Sequence, residues 1–196
     1  LTVDASTSSI AGGDGNDTLI FSNTLTTSSV SGGDGNDLLS FGALLSVGFN
    51  TIDAGAGADT LLFSSTVSST NILGGSGADS FSFGAKLSET TLNAGVAADT
   101  ITFSVGLTSS KISMDSGADS LQFATSTTIT DTTVLGGDDA DTIRFLGVAD
   151  GLSIDAGKGD DSLYFSLANT SSSILGGSGN DTLNFANSIT VVRVQG

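Results

Sequence analysis

Nine aspartates recur along this chain at a near-constant step, and each is followed four positions later by a phenylalanine. They are Asp17, Asp37, Asp59, Asp79, Asp99, Asp119, Asp141, Asp161 and Asp181, paired with Phe21, Phe41, Phe63, Phe83, Phe103, Phe123, Phe145, Phe165 and Phe185. Successive aspartates lie 20, 22, 20, 20, 20, 22, 20 and 20 residues apart. Each closes a six-residue loop that opens at Gly12, Gly32, Ala54, Gly74, Ala94, Met114, Gly136, Ala156 or Gly176, and loop positions are numbered 1 to 6 from there. Glycine holds position 2 in eight loops, with Asp115 the exception. It holds position 4 in seven, with Ala97 and Asp139 the exceptions. Glycine permits positive φ, so the loop can turn its backbone carbonyls toward a common point. Carboxylates and carbonyls together supply hard oxygen ligands, which suit calcium at six to eight oxygens. The candidate metal ligands are the nine aspartates and the loop glycines Gly13, Gly15, Gly33, Gly35, Gly55, Gly57, Gly75, Gly77, Gly157, Gly159, Gly177 and Gly179.

Such loops need a scaffold that repeats with them. Self-similarity at this short period marks a stacked repeat, in which each unit buries its face against its neighbours. Leu19 and Phe21 are two apart, so on a strand they share one face. The leucine position recurs as Leu39, Leu61, Phe81, Ile101, Leu121, Ile143, Leu163 and Leu183. Ahead of the loop, Ile10 recurs as Val30, Ile52, Ile72, Leu92, Ile112, Val134, Ile154 and Ile174. Three apolar columns rich in β-branched and aromatic residues predict strands, two per rung, flanking the glycine turn. The phenylalanine column is core packing. Both two-residue insertions fall between a phenylalanine and the next Ile/Val column, so the Ser/Thr-rich turn there is the tolerant one. The predicted fold is all-β: a parallel β-roll or β-solenoid of nine rungs, about 20 residues each, running through residues 1–196 without an internal domain boundary. At about 4.8 Å per rung the rod is roughly 43 Å long.

Stacking also sets like carboxylates above one another. At about 4.8 Å two carboxylates repel by roughly 0.9 kcal/mol even at the dielectric of water, and by more beside an apolar core. One alternative is that each aspartate caps its own turn through a side-chain-to-backbone bond. A divalent cation between rungs instead turns the repulsion into attraction. Nine rungs have eight interfaces, so up to about eight Ca²⁺ would bring +16 against a formal charge of −16. The glycine losses at Ala97, Asp115 and Asp139 predict that carbonyls are less well aimed between Ala94 and Asp141, where the calcium column should be weakest.

The 196 residues include 21 acids against 5 lysines and arginines, a balance that repels nucleic acid and anionic membrane. No run is long enough to insert into a bilayer, and no basic-then-apolar signal opens the chain. Without cysteine or histidine there is no disulfide framework, no thiol zinc site and no imidazole proton shuttle.

The segment Gly12-Gly13-Asp14-Gly15-Asn16-Asp17-Thr18-Leu19-Ile20 resembles the nonapeptide of the repeats-in-toxin, or haemolysin-type, calcium-binding family. Gly32–Ser40 and Gly176–Asn184 match about as well, and the loops at Ala94 and Met114 only weakly. The resemblance implies a parallel β-roll with calcium held between successive loops by the aspartate and backbone carbonyls. It also implies type I secretion, folding in extracellular calcium, and an extracellular or bacterial cell-surface location. The usual coil of the family holds two nonapeptides, about eighteen residues, with calcium on both edges. This chain has one motif per rung, so one edge should carry calcium. That variant is more similar to the long arrays of surface-layer proteins, adhesins and extracellular filaments.

The expected function is a calcium-stabilised structural repeat region of such a protein, not an enzyme. One alternative is the secretion and folding module of a secreted enzyme or toxin. Asp138 with Asp139, or Asp160 with Asp161, could pair for acid–base work, but they lie at repeated turn positions with no further catalytic group beside them. A second alternative is ice binding by the column Thr18, Leu38, Thr60, Ser80, Thr100, Ser120, Thr142, Ser162 and Thr182, which Gln122, Arg144 and Tyr164 next to it would spoil. Leu1 stands where an earlier phenylalanine would, and Gly196 where the next loop would open. The array therefore reads as a segment of a longer one, with end-to-end self-association into a filament or lattice.

Overall fold

Alternation of inward apolar and outward polar residues after each aspartate produces a four-residue strand in every rung. These run from Thr18–Phe21 to Thr182–Phe185. In the computed structural model, which describes residues 5–6, 8–43, 45, 49–187, 189–190 and 193–195, nine such strands form one parallel sheet. Their register is strict: Phe21 pairs with Phe41, Phe41 with Phe63, and so on to Phe165 with Phe185. Adjacent phenylalanine rings stack with centroids 4.6 to 5.1 Å apart and planes within 13°. That distance matches the spacing of hydrogen-bonded strands, so identical rings at one register position stack along the whole rod.

Strands leading into the loops form a second parallel sheet of ten, from Ser9–Asp14 to Arg193–Gln195. Val30, Ile52, Ile72, Leu92, Ile112, Val134, Ile154 and Ile174 point inward from it and are buried, with Ile10 partly so. The β-solenoid predicted from the sequence is the fold that forms. Leu1 and Gly196, on which the reading of the ends rests, lie outside the described residues.

The rung has three strands, not the two expected. The Ser/Thr-rich stretch carries a third, as in Val67–Ser68, Leu87–Ser88 and Leu107–Thr108. These strands make a seven-stranded parallel sheet, which single bridges through Leu45 link to Leu25–Thr26 and Ala5–Ser6. Leu25, Leu45, Val67, Leu87, Leu107, Ile129 and Ala149 point inward from it and are buried. Strands of two or three residues are too short to display alternation, which is why this fourth apolar column is hidden among serines and threonines.

The corner after the third strand has its own chemistry. Thr27, Ser69, Glu89, Ser109, Asp131 and Ser171 take φ between 48° and 53°, the left-handed region. The following hydroxyl reaches back to the carbonyl two residues earlier: Thr70 to Ser68 at 2.9 Å, Thr90 to Ser88 at 2.9 Å, Ser110 to Thr108 at 3.0 Å and Thr132 to Thr130 at 3.0 Å. A left-handed residue other than glycine costs about 1–2 kcal/mol, and one such hydrogen bond returns about 1 kcal/mol. Leu152 has no hydroxyl to offer, and the residue before it is Gly151, with φ 70°. The register also separates the two insertions. One lies between Leu45 and Ile52, after the third strand, and the other between Phe123 and Ile129, before it.

Candidate metal centre

All twelve loop glycines singled out from the sequence have positive φ, from 103° to 136°. A Cβ on Gly33 would strike the carbonyl of Gly13, and one on Gly35 the carbonyl of Gly15. The same contact recurs between Gly55 and Gly75 and between Gly57 and Gly77. Carbonyls at positions 2 and 4 thus point along the rod into the next loop. A Cβ there crowds them, so glycine is the usual occupant.

The expected loss of aim in the middle of the rod is not found. Ala97, Asp115 and Asp139 keep positive φ, at 85°, 77° and 79°. Their carbonyls lie against Gly117, Gly137 and Gly159 as glycine carbonyls do elsewhere. Pairing with the neighbouring rungs enforces this: Ala97 donates its N–H to the Ser116 carbonyl at 2.7 Å, as Gly15 does to Asp34 at 2.7 Å. Lost glycines therefore appear as backbone strain and not as misdirected oxygens. Ala97→Gly and Asp139→Gly are each expected to raise stability by up to about 1 kcal/mol, the left-handed penalty less glycine's greater unfolded-state entropy. Urea midpoints in calcium check this, and a lowered midpoint for both would contradict it.

The aspartates form a ladder. Seven of them, Asp37 through Asp161, are at most 3% exposed. Oδ1 of each accepts the backbone N–H of the aspartate one rung earlier, from Asp17 to Asp37 at 2.7 Å through Asp99 to Asp119 at 2.6 Å to Asp161 to Asp181 at 3.1 Å. The side chain thus caps the neighbouring rung and not, as the alternative had it, its own turn. Oδ2 is left over. In all nine aspartates it is buried without a hydrogen-bond partner. A buried acceptor left unpaired costs about 1–3 kcal/mol, and a charged one more.

Burial pushes the carboxyls of Asp79, Asp99 and Asp141 up to about 7 and that of Asp119 up to about 6. The N–H bond to Oδ1 opposes this shift, and neighbouring carboxylates add to it. Burial raises Asp59 and Asp161 as well. Such a column is relieved by a proton or by a cation on each Oδ2.

Backbone oxygen accompanies the orphaned carboxylate oxygen. A Cβ on Gly12 would lie 2.6 Å from Asp17 Oδ2 and 2.5 Å from the carbonyl oxygen of Gly32 in the next loop. No three carboxylates converge among the described residues. The donor set is therefore mixed carboxylate and carbonyl oxygen, and it fits calcium, a hard cation that accepts such ligands flexibly.

Two further loop positions matter that residue type did not single out. Position 1 lies beside Oδ2. Position 5 forms a second, exposed ladder, in which Asn16 Oδ1 accepts from the Asn36 N–H at 2.8 Å and Asn36 Oδ1 from the Ala58 N–H at 2.9 Å. Its only signal in the sequence is an Asn or Asp at position 5 in adjacent rungs. Of the suspected acid–base pairs, Asp138 is exposed and ion-paired with Lys158 at 2.8 Å, while Asp160 accepts from the Asn180 N–H at 2.8 Å.

Residues 5–22, 28–43, 46–65 and 171–187 match the RTX calcium-binding nonapeptide repeat in four copies. The chain thus carries calcium-binding repeats of the kind its loops resemble. No curated protein matches it. Among solved structures, a TibC-catalysed hyper-glycosylated TibA fragment aligns over 96% of this chain and 100% of its own, at 12% identity and a TM-score of 0.21, too low to indicate a shared fold.

Proposed function

We propose that this chain is a calcium-rigidified rod within a secreted bacterial cell-surface or extracellular protein, such as a surface layer, filament or adhesin. The observation that carries the proposal is the column of nine buried Oδ2 atoms without partners. Calcium supplies positive charge there when bound. The aspartates would hold it, with the position 1 carbonyl of the next rung beside Oδ2. Before calcium is met, an acidic chain of this kind stays unfolded and exportable, and the ion's binding energy becomes folding energy outside. Affinity of roughly 10⁻⁴–10⁻³ M, typical of extracellular modules, is enough for that switch. The four matching repeats support the calcium half of this function. No helix among the described residues is long and apolar enough to cross a membrane.

In this view residues 1–196 are one continuous array, and such rods associate end to end by pairing of strand edges. Small-angle scattering in millimolar calcium is expected to give a rod, lengthening at high protein concentration. Protease treatment of intact host cells should release fragments of the array. A globular scattering profile, or full protection inside intact cells, would overturn the proposal.

A further inference from the structure

The nine loops are not equivalent at position 1. Five have glycine there: Gly12, Gly32, Gly74, Gly136 and Gly176. Four have a side chain: Ala54, Ala94, Met114 and Ala156, each fully buried. Resting on the calcium function proposed above, we infer that position 1 decides which rungs hold the ion, so that tight sites occur only at glycine rungs.

Geometry at the glycines carries the inference. At Gly12, Gly32, Gly74 and Gly136, two oxygens lean onto the point that a Cβ would occupy. One is Oδ2 of that rung's own aspartate, 2.6 Å from the point for Asp79 and 2.7 Å for Asp141. The other is the position 1 carbonyl of the next rung, from Gly32, Ala54, Ala94 and Ala156 in turn. The carboxylate oxygens of Asp37, Asp79 and Asp141 belong to residues at most 3% exposed and have no other partner. That point lies within bonding distance of the glycine Cα and is not itself a cation position, but both oxygens come closer to it than a carbon there would allow, so an unpaired buried anion and a carbonyl can close on one hard cation beside the glycine. In the other four rungs a methyl or thioether chain stands at that point. Carbon does not approach oxygen as closely as the oxygens approach it in the glycine rungs, so the side chain holds the two donors apart.

Gly176 faces the Asp181 carboxylate in the same way, but its next-rung partner is outside the described residues. The complete pairs therefore sit at four interfaces: Asp17 with Asp37, Asp37 with Asp59, Asp79 with Asp99, and Asp141 with Asp161. Eight equal ions are not expected. The central stretch from Asp99 to Asp141 is poorest in sites because two successive rungs carry Ala94 and Met114, whatever happens at positions 2 and 4.

The probe is calcium itself, counted by isothermal titration on the 196-residue chain with circular dichroism confirming folding at saturation. Wild type should show a tight class near four ions per chain, distinct from weaker ones. Ala54→Gly should add one tight ion, and Gly74→Ala should remove one. Gly74→Ala also crowds the Ala94 carbonyl and the Phe81 ring, so the gain in Ala54→Gly is the decisive arm. About eight equivalent ions in wild type, or an unchanged count in Ala54→Gly, would overturn the inference while leaving calcium binding intact. No tight ion in any form would instead overturn the calcium function from which it proceeds.

Discussion

Withdrawal of calcium at pH 7 is expected to abolish the β-sheet signal of this chain, and acidification to about pH 5 in the presence of chelator to bring much of it back. Without metal, the folded rod holds nine carboxyls in a column with one oxygen each unpaired and buried. In the unfolded chain Asp79, Asp99, Asp119 and Asp141 are hydrated and titrate at their ordinary value of 3.8. In the rod, burial pushes Asp79, Asp99 and Asp141 to about 7 and Asp119 to about 6, so the folded state binds protons more tightly. Stability of the metal-free rod is therefore fully present below about pH 4, falls as pH rises toward 7, and is lowest above that. Calcium reverses the dependence, because protons and calcium compete for the same Oδ2. The measurement is far-ultraviolet circular dichroism against pH, with calcium and with chelator. An unchanged β spectrum in chelator at pH 7 would show that the column is held by something other than a cation.

Phe103→Ala should be the most damaging single core substitution, costing about 3–5 kcal/mol in calcium. Phe103 is 2% exposed and lies between Phe83 and Phe123, with centroids at 4.6 and 4.9 Å. Its loss removes a buried ring and two stacked contacts, each worth about 0.5–1.5 kcal/mol beyond area burial. A rod of repeats is stabilised by nearest-neighbour interfaces, so a break at the middle rung uncouples the two halves. Urea unfolding should then become biphasic. Phe185→Ala supplies the contrast, since Phe185 is only partly buried and, among the described residues, stacks on Phe165 alone. Its effect should be near half as large with one transition retained. Equal effects at the two positions would mean that the array unfolds as one unit regardless of where it is broken.

Much of this architecture is legible in the sequence because stacking copies one dimension of the chain directly into space. When residue n lies on residue n+20, a column in the alignment of repeats is a column in the rod, and Phe21, Phe41 and Phe63 form one column in both. Strand spacing is a constant of backbone hydrogen bonding, so the carboxylate column and its repulsion follow from the repeat period alone. The third strand does not, because Leu87-Ser88 has one inward residue and one outward residue, and alternation needs more than one cycle. Nor does the strain at Ala97, since residue pattern expresses what a residue prefers and not what its neighbours impose.

Residue type and period by themselves determined the repeat, the all-β class, the inward faces and the aspartate carboxylates as candidate oxygen donors. Tertiary structure alone decided how those donors are used. The aspartate's Oδ1 is committed to a backbone N–H one rung away, which leaves Oδ2 as the orphan, and no local rule distinguishes these two oxygens. Whether position 1 opens or closes the space beside that orphan likewise depends on a carbonyl some twenty residues later in the chain. Bond directions and clearances of a few tenths of an ångström arise only when rungs are laid on one another, because each is set by the backbone of the next rung as much as by its own residues.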